Sequence, residues 1–343
     1  MFNGNLRRKL VIGLGLALAV FAGLIFYGDA REMGRLLHDF QWSLVPAILG
    51  LTLVNYFLRG IRFHYYLGQI SLKHISFWTS FRVFIGGFAL TLTPGKVGEL
   101  VRVLWLKNLA NADPIKLAPS TIVDRIIDGM ALALLATLGI LAYPQYWTVA
   151  VSILALITAG IALLQIRPLA LALLNWGEHL PLVSRFVHHL HTFYENTRVL
   201  LSFKNLLVGL GLGLVSWSAE GLAFYLVLRG LGINGGVDLA AIAIFILALG
   251  SILGGISSLP GGLGAAEVTM TGMLQALAHL SENSAATATL LIRFCTLWFA
   301  ILLGVLTIAI WRGMFLGTGQ GEPKEDPAST TAPLRHLNPD EGW

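Results

Sequence analysis

The sequence reads Thr93-Pro94-Gly95-Lys96-Val97-Gly98-Glu99 in its first half and Leu259-Pro260-Gly261-Gly262-Leu263-Gly264-Ala265-Ala266-Glu267 in its second. Each stretch contains a Pro-Gly pair, a further glycine and then a glutamate. Because proline removes a backbone donor and glycine adds conformational freedom, each stretch predicts a break within a helix. The offset that maps Glu99 onto Glu267 also maps Arg125 onto Arg293, which predicts an internal repeat.

The composition is that of a membrane protein. Hydrophobic residues make up 56% of the 343 residues and charged residues only 12%, with a mean hydropathy of +0.74. Soluble domains carry roughly 25% charged residues. The formal net charge of +5 comes from basic residues in short loops between apolar runs, which favours a role in topology and argues against a nucleic-acid partner. The single Cys295 excludes a disulfide framework.

Run length predicts an all-α integral membrane fold. About 20 apolar residues cross the hydrocarbon core. Six segments meet this criterion: Leu10–Tyr27, Trp42–Leu58, Leu117–Leu141, Trp147–Ile166, Leu206–Leu228 and Ala285–Trp311. Two further stretches, Phe77–Leu106 and Leu239–Leu280, contain the breaks, and we expect re-entrant helical hairpins there. Eight full spans are the alternative.

Loop charge predicts the topology, because lysine and arginine favour the cytoplasmic side. This rule puts both termini in the cytoplasm, and Arg59 and Arg62 in a cytoplasmic loop. We predict a polytopic domain over residues 1–316, with repeat halves at about 42–141 and 206–311. Residues 167–204 form a cytoplasmic interfacial segment, and 317–343 a disordered tail. If the two broken stretches are re-entrant hairpins, the two halves have inverted topology. If they are full spans, giving eight in total, the two halves have parallel topology.

Ionisable residues within the apolar regions predict a polar cavity, since each costs roughly 2.5–3.5 kcal/mol to insert. The predicted substrate-binding residues are Lys96, Glu99, Arg125, Glu267 and Arg293, and the supporting residues are Pro94, Gly95, Gly98, Asp124, Asp128, Glu220, Pro260, Gly261 and Gly264. Guanidinium groups hold phosphate through two parallel hydrogen bonds. The alternative is that these residues form buried ion pairs that hold the hairpins in place. Arg82 and Arg102 are expected to extend to the cytoplasmic surface.

No catalytic residue, metal site or cofactor is predicted. Four histidines lie in the interfacial segment: His179, His188, His189 and His191. We interpret them as a solvated polar face in preference to metal ligands.

The sequence resembles the membrane region of bacterial lysylphosphatidylglycerol synthases, a family also described as flippase-like. The resemblance rests on three motifs: TPGKVGE at Thr93–Glu99, DRIIDG at Asp124–Gly129 and SSLPGGLGAAE at Ser257–Glu267. The resemblance implies a stand-alone flippase-type domain that moves lipids between the leaflets of a bacterial inner membrane. The soluble aminoacyl-transfer domain of the two-part members has no counterpart here, which argues against lysyltransferase activity.

Three functions remain open on sequence grounds. The first is a flippase for an anionic or phosphate-bearing lipid, with the membrane lipid as its partner. The second is a membrane glycosyl- or lipid-modifying transferase that uses a polyprenyl-phosphate donor, for which Asp29, Glu32 and Asp39 are the outer-loop carboxylates. The third is a non-catalytic partner that recruits lipid-modifying enzymes through residues 167–204. The sequence does not specify the oligomeric state.

Overall fold

The computed structural model of the chain describes residues 29–70, 72, 74–93, 98–140 and 187–316, with isolated positions at 15, 20, 22, 23, 148, 151, 152, 155 and 159. Within these ranges the chain is helical and has no β-strand, so the all-α class is confirmed. Pro94, Gly95 and Lys96 lie outside the described residues, as do the tail at 317–343 and most of the predicted spans Leu10–Tyr27 and Trp147–Ile166. The side chains of the four histidines are also outside the description.

The helices are numbered here in chain order: α1 (Ala30–Asp39), α2 (Val45–Gln69), α3 (Phe77–Gly86), α4 (Val101–Ala110), α5 (Pro114–Ile140), α6 (Val187–Leu200), α7 (Phe203–Gly230), α8 (Val237–Ile256), α9 (Ala265–Ala278), α10 (Glu282–Arg293), α11 (Phe299–Ile310) and α12 (Arg312–Leu316). Short 3-10 segments at Trp42–Leu44, Gly87–Leu90 and Pro260–Gly262 precede α2, follow α3 and precede α9. A π-helical turn, Phe294–Trp298, joins α10 to α11.

Four described helical stretches are long and apolar enough to cross a membrane: Trp42–Gln69, Phe203–Gly230, Val237–Ile256 and Glu282–Ile310. Three of them contain predicted spans. The predicted end at Leu58 is wrong, because the helix continues to Gln69 and carries Arg59 and Arg62 with it. Run length failed there because buried ion pairs allow charged residues to continue a membrane helix.

Compared with a soluble protein, apolar side chains lie more on the outside of the bundle and charged side chains more on the inside. Exposed apolar side chains cover the outer faces of several helices, among them Leu53 and Phe57 on α2 and Leu207 on α7. The buried side chains include eight charged ones: Arg59, Arg62, Glu99, Arg102, Asp124, Asp128, Glu220 and Glu267. A hydrocarbon surrounding explains both observations, since it favours apolar surface and drives charges into the bundle interior.

Helices α2 and α7 pack side by side in opposite directions. At one end the Gln41 amide donates to the Gly230 carbonyl at 3.0 Å, and at the other the Tyr65 hydroxyl donates to Asn205 Oδ1 at 2.6 Å. The start of α2 therefore lies beside the end of α7. Equivalent first helices of two repeats that run antiparallel favour the inverted arrangement.

The first break produces a helical hairpin. Helix α3 and its 3-10 extension are too short to cross a membrane alone. Helix α4 packs back along α3, with the Arg102 guanidinium 4.5 Å from the centre of the Phe84 ring. Near the turn, the Gly98 amide donates to Thr93 Oγ1 at 2.6 Å. This geometry favours a hairpin that returns to the side it left.

The second break turns through a series of left-handed residues. Ser258, Gly261, Gly262 and Gly264 have φ angles of 55°, 63°, 69° and 87°, a region that glycine adopts without a Cβ clash. Helix α9 then packs against α8, as α4 packs against α3. The first arm, α8, has 20 residues, so the two hairpins differ in depth.

We expect Gly213→Leu to destabilise the protein by about 1–3 kcal/mol, because overpacking a filled helix contact forces neighbours to move. A Cβ at Gly213 would lie 3.0 Å from Ala131 Cβ and 3.2 Å from Arg62 Nη1. Gly211→Leu on the same helix is the matched control, since nothing lies within 4 Å of its Cβ position. Thermal unfolding in detergent measures both. Equal melting temperatures for the two variants would contradict the α2–α7 packing.

Candidate functional site

The structure brings together two equivalent Glu-Arg pairs. Arg125 Nη2 lies 2.5 Å from Glu99 Oε2, and Arg293 Nε lies 2.5 Å from Glu267 Oε1. Both carboxylates are buried, and the arginines are partly exposed. Each half therefore places a charged pair at the turn of its broken helix.

The two pairs lie at similar depth from opposite ends of the bundle. Arg125 and Arg293 each lie about three turns, or roughly 16 Å, from the start of their helices, α5 and α10. Half the thickness of a hydrocarbon core is about 15 Å. Because α5 and α10 start at opposite ends, both arginines come close to the middle of the bundle.

The two breaks also meet. Leu92 from the first break packs with Leu263 from the second and with Leu297 of the π-helical turn. Discontinuous helices that meet at mid-depth are a common setting for substrate sites in transporters with inverted repeats.

A cavity of about 70 Å³, the central cavity, lies beside this contact. Its lining comes from both halves: Tyr56, Arg59, Phe88, Thr91, Glu99, Arg125, Trp217, Glu220, Thr296, Leu297 and Ala300. The volume suits a few water molecules or one small ion and is far too small for a whole lipid. The predicted residues Glu99, Arg125 and Glu220 line it, whereas Glu267 and Arg293 do not.

In the second break the Glu-Arg pair also hydrogen-bonds to the backbone of the turn. Glu267 Oε2 accepts from the Gly264 amide at 2.6 Å, and Arg293 Nη2 donates to the Gly261 carbonyl at 2.9 Å. The positions of Gly261 and Gly264 in the sequence pattern are thereby explained. These contacts join the second Glu-Arg pair to the backbone of the hairpin turn.

A buried charge cluster, consisting of Arg59, Arg62, Asp124 and Asp128, joins α2 to α5. Arg62 Nη2 lies 2.5 Å from Asp124 Oδ1 and 2.6 Å from Asp128 Oδ1. Arg59 Nη2 lies 2.8 Å from Asp128 Oδ2. The prediction that placed both arginines in a cytoplasmic loop is wrong. The sequence did contain a signal for this cluster. Two arginines three residues apart lie on one face of a helix, and two aspartates four residues apart lie on one face of another, so the two faces can pair.

Arg102 is also buried, which corrects the expectation that it extends to the surface. Its Nη1 lies 3.2 Å from Glu99 Oε2, and its guanidinium faces the rings of Phe84 and Phe88 at 4.5 and 5.4 Å. Cation–π contacts of this kind compensate part of the lost hydration. Arg82 instead lies 4.6 Å from the centre of the Trp311 ring.

Seven uncharged residues that the sequence did not predict line the central cavity, among them Tyr56, Trp217 and Thr296. The Tyr56 hydroxyl donates to the Thr296 carbonyl at 2.6 Å, and Trp217 Nε1 donates to Asp128 Oδ1 at 3.1 Å. Thr296 lies within the π-helical turn, a feature often found at functional sites. An aromatic residue in an apolar helix gives no sequence signal that separates cavity lining from packing.

The charge cluster belongs to the first half only. The repeat offset maps Asp124 onto Ile292 and Asp128 onto Thr296. The Leu58-Arg59-Gly60 triplet recurs as Leu228-Arg229-Gly230 at a slightly different offset. Arg229 is exposed and donates to the Gly235 carbonyl at 3.3 Å. The two halves therefore share the Glu-Arg pair but differ in the charges around it.

The outer-loop carboxylates make local contacts. Asp29 caps α1 by accepting from the Arg31 amide at 2.8 Å, and the Asp29 amide donates to Asn283 Oδ1 at 2.7 Å. Glu32 accepts from Asn283 Nδ2, and Asp39 contacts His38. These contacts tie α1 to the start of α10.

We expect Arg62→Met to destabilise the protein by about 3–5 kcal/mol, because it leaves Asp124 as a buried charge without its main partner. The double variant Arg62→Met with Asp124→Leu removes both charges and leaves the Arg59–Asp128 pair, so it should recover most of that loss. Thermal unfolding of both variants tests this, with the exposed Arg229→Met as control. A double variant no more stable than Arg62→Met alone would contradict the pairing.

The comparisons with known proteins agree with this architecture. The family model described as "Lysylphosphatidylglycerol synthase TM region" matches residues 11–304. Two relatives from Methanothermobacter thermautotrophicus, each described as a UPF0104 membrane protein, are 26% and 28% identical. The first match covers 86% of this chain and 91% of the relative, and the second 66% and 74%.

A third relative, described as "Glycosyltransferase AglD", comes from Haloferax volcanii. It is 22% identical over 83% of this chain and 51% of its own length. All three relatives are archaeal. Because the family model covers most of the chain, this multi-pass helical membrane protein belongs to the lysylphosphatidylglycerol synthase TM region family.

Proposed function

We propose that the protein is a flippase that moves an anionic or phosphate-bearing lipid between membrane leaflets. The observation that carries the proposal is the position of the two Glu-Arg pairs, which lie at mid-depth where two broken helices meet, beside a polar cavity. Inverted repeats with broken helices at mid-depth are the architecture of many secondary transporters.

The chemistry of the pairs fits a lipid phosphate. A charged headgroup cannot cross hydrocarbon unaided, because an unpaired charge there costs several kcal/mol. Glutamate neutralises each arginine while the site is empty. An entering phosphate competes for the same guanidinium donors and accepts two parallel hydrogen bonds from them. The headgroup crosses in the polar interior while its chains stay in lipid.

The competing structural interpretation assigns the same pairs only to holding the hairpins. The second pair supports that interpretation most, since Arg293 also binds the Gly261 carbonyl. Arginine-to-lysine substitutions distinguish the structural role from the transport role. Lysine keeps the positive charge that pairs with a carboxylate but lacks the planar guanidinium group that binds phosphate through two hydrogen bonds. A purely structural role should tolerate Arg125→Lys better than a transport role does.

The experiment is leaflet-to-leaflet movement of labelled phosphatidylglycerol, phosphatidic acid and a polyprenyl phosphate in proteoliposomes. We expect movement above empty liposomes for at least one of them. Arg125→Ala should reduce the rate by about tenfold or more, because it removes charge-assisted hydrogen bonds worth about 1.5–3 kcal/mol from the cavity. Arg293→Ala should reduce the rate by a similar factor, because it removes the partner of Glu267 and of the Gly261 carbonyl at the second break.

Arg229→Ala is the matched control, because Arg229 is exposed at the end of α7 and should leave the rate unchanged. Thermal unfolding of each variant separates loss of transport from loss of fold. Absence of movement for every lipid with well-folded native protein would refute the flippase, and an unchanged rate in well-folded Arg125→Ala would refute the role of the pair.

A second candidate function is glycosyl transfer, which is favoured by the name of the Haloferax relative. The match covers about half of that relative, so its activity need not reside in the matched part. Incubation of the purified chain with a polyprenyl-phosphate sugar and lipid acceptors tests this candidate. Turnover that disappears in Asp128→Asn would establish an enzyme and overturn the flippase proposal.

We infer further that the end of the bundle holding Lys107, Lys116, Lys204 and Arg312 faces the cytoplasm of the cell membrane. These residues lie at or beside the ends of α4 and α11 and the starts of α5 and α7. Contacts of Trp105 with Phe315, of Arg62 with Asp124 and of Tyr65 with Asn205 indicate that these termini lie at one end of the bundle. We expect a cysteine at Ser202 to react with a membrane-impermeant thiol reagent only after cell lysis, and one at Asn234 to react in intact cells. A Cys295→Ala background removes the single native cysteine. The opposite labelling pattern would reverse the orientation.

A further inference from the structure

We propose that the phosphate group binds in the central cavity between Arg59 and Arg125, so that Arg59 is a binding residue and Arg293 acts on the hairpin turn instead. This inference rests on the proposed function and identifies its headgroup site. It differs from the sequence-based prediction, which paired Arg125 with Arg293 and Lys96.

The two guanidinium groups converge on one carboxylate oxygen. Arg59 Nη2 lies 2.8 Å from Asp128 Oδ2, and Arg125 Nη1 lies 3.7 Å from the same atom. The two nitrogen atoms are therefore no further apart than the sum of these distances. This is a separation that one phosphate group can bridge by offering a different oxygen to each arginine.

Both arginines retain unused donors in the part of the chain that the structure describes. Arg59 Nε and Arg125 Nε are buried and have no hydrogen-bond partner there. Arg59 is 5% exposed and lines the cavity. A buried donor without a partner is destabilising, more so when the group is charged, and an incoming acceptor would recover that free energy.

Asp128 can release Arg59 without losing its other partners. Its second oxygen, Oδ1, accepts from Arg62 Nη2 at 2.6 Å and from Trp217 Nε1 at 3.1 Å. A phosphate that replaces Asp128 Oδ2 on Arg59 therefore leaves the aspartate bound to two donors. The charge cluster acts as a resting partner for Arg59 when no anion is present.

The cavity wall suits a phosphate ester. Thr91 and Thr296 supply small polar side chains, and Tyr56 and Trp217 supply aromatic surface around Arg59. The wall also holds the carboxylates of Glu99 and Glu220, of which Glu99 is neutralised by Arg102 and Arg125. The Arg59 guanidinium lies 5.2 Å from the centre of the Trp217 ring, which holds it by a cation–π contact. The volume of about 70 Å³ admits a phosphate group and leaves the glycerol or prenyl part outside.

The test is binding of dihexanoyl phosphatidic acid, dihexanoyl phosphatidylcholine and inorganic phosphate to the purified full chain in a non-ionic detergent, measured by calorimetric titration. We expect saturable binding of phosphatidic acid that weakens by about tenfold or more in Arg59→Gln, since glutamine keeps one donor for Asp128 but loses the charge. Arg229→Gln is the matched control and should bind as the native chain does. Tighter binding of phosphatidic acid than of inorganic phosphate assigns the site to lipids, and the reverse order assigns it to the free ion.

Cross-linking of the unaltered chain keeps the test decisive if Arg59→Gln fails to fold. Phosphatidic acid with a photoreactive group next to its phosphate should label peptides from α2 and α7, which contain Tyr56 and Trp217. Equal affinity in folded Arg59→Gln, or labelling confined to other helices, would overturn the site. Binding without movement between leaflets would refute the flippase proposal and retain the phosphate site. Movement between leaflets at the native rate in Arg59→Gln would retain the flippase proposal and refute the phosphate site.

Discussion

The fold depends on the requirement that a charge surrounded by hydrocarbon must have a partner. In the described residues the arginines of the bundle interior lie within 3.2 Å of a carboxylate oxygen, and their helices are placed accordingly. Arg62 joins α2 to α5, and Arg125 joins α5 to the first break. Because separating such a pair inside a membrane costs more than in water, these contacts determine helix order as well as stability.

The helix breaks and the Glu-Arg pairs depend on each other structurally. A helix interrupted at mid-depth exposes backbone amides and carbonyls that water cannot reach. In the second break Glu267 accepts from the Gly264 amide and Arg293 donates to the Gly261 carbonyl, so that the pair satisfies the backbone as well as itself. A motif that combines proline, glycine and glutamate is therefore one structural unit, and its arginine completes it from the next helix.

The sequence predicted the features that follow from local chemistry or repetition. Membrane class followed from composition, and the two Glu-Arg pairs followed from a shared spacing around the Pro-Gly pairs. The extent of α2 and the burial of Arg59 and Arg62 did not follow, because a run-length criterion treats every arginine as a loop residue. Only their partners Asp124 and Asp128, distant in sequence, make the longer helix possible. Cavity residues such as Tyr56 and Trp217 were missed because apolar helices contain aromatic residues everywhere.

The difference between the halves has an energetic consequence. In the proposed flippase, exact two-fold symmetry would make the conformations open to the two leaflets equivalent by rotation and equal in free energy. Here Asp124 and Asp128 correspond to Ile292 and Thr296 in the second half. Parting the helices of the first half separates charges, whereas parting those of the second separates mainly apolar surfaces. For the proposed flippase, this asymmetry predicts that one of the two conformations is lower in free energy when no lipid is bound, and that binding of the lipid supplies the free energy to populate the other.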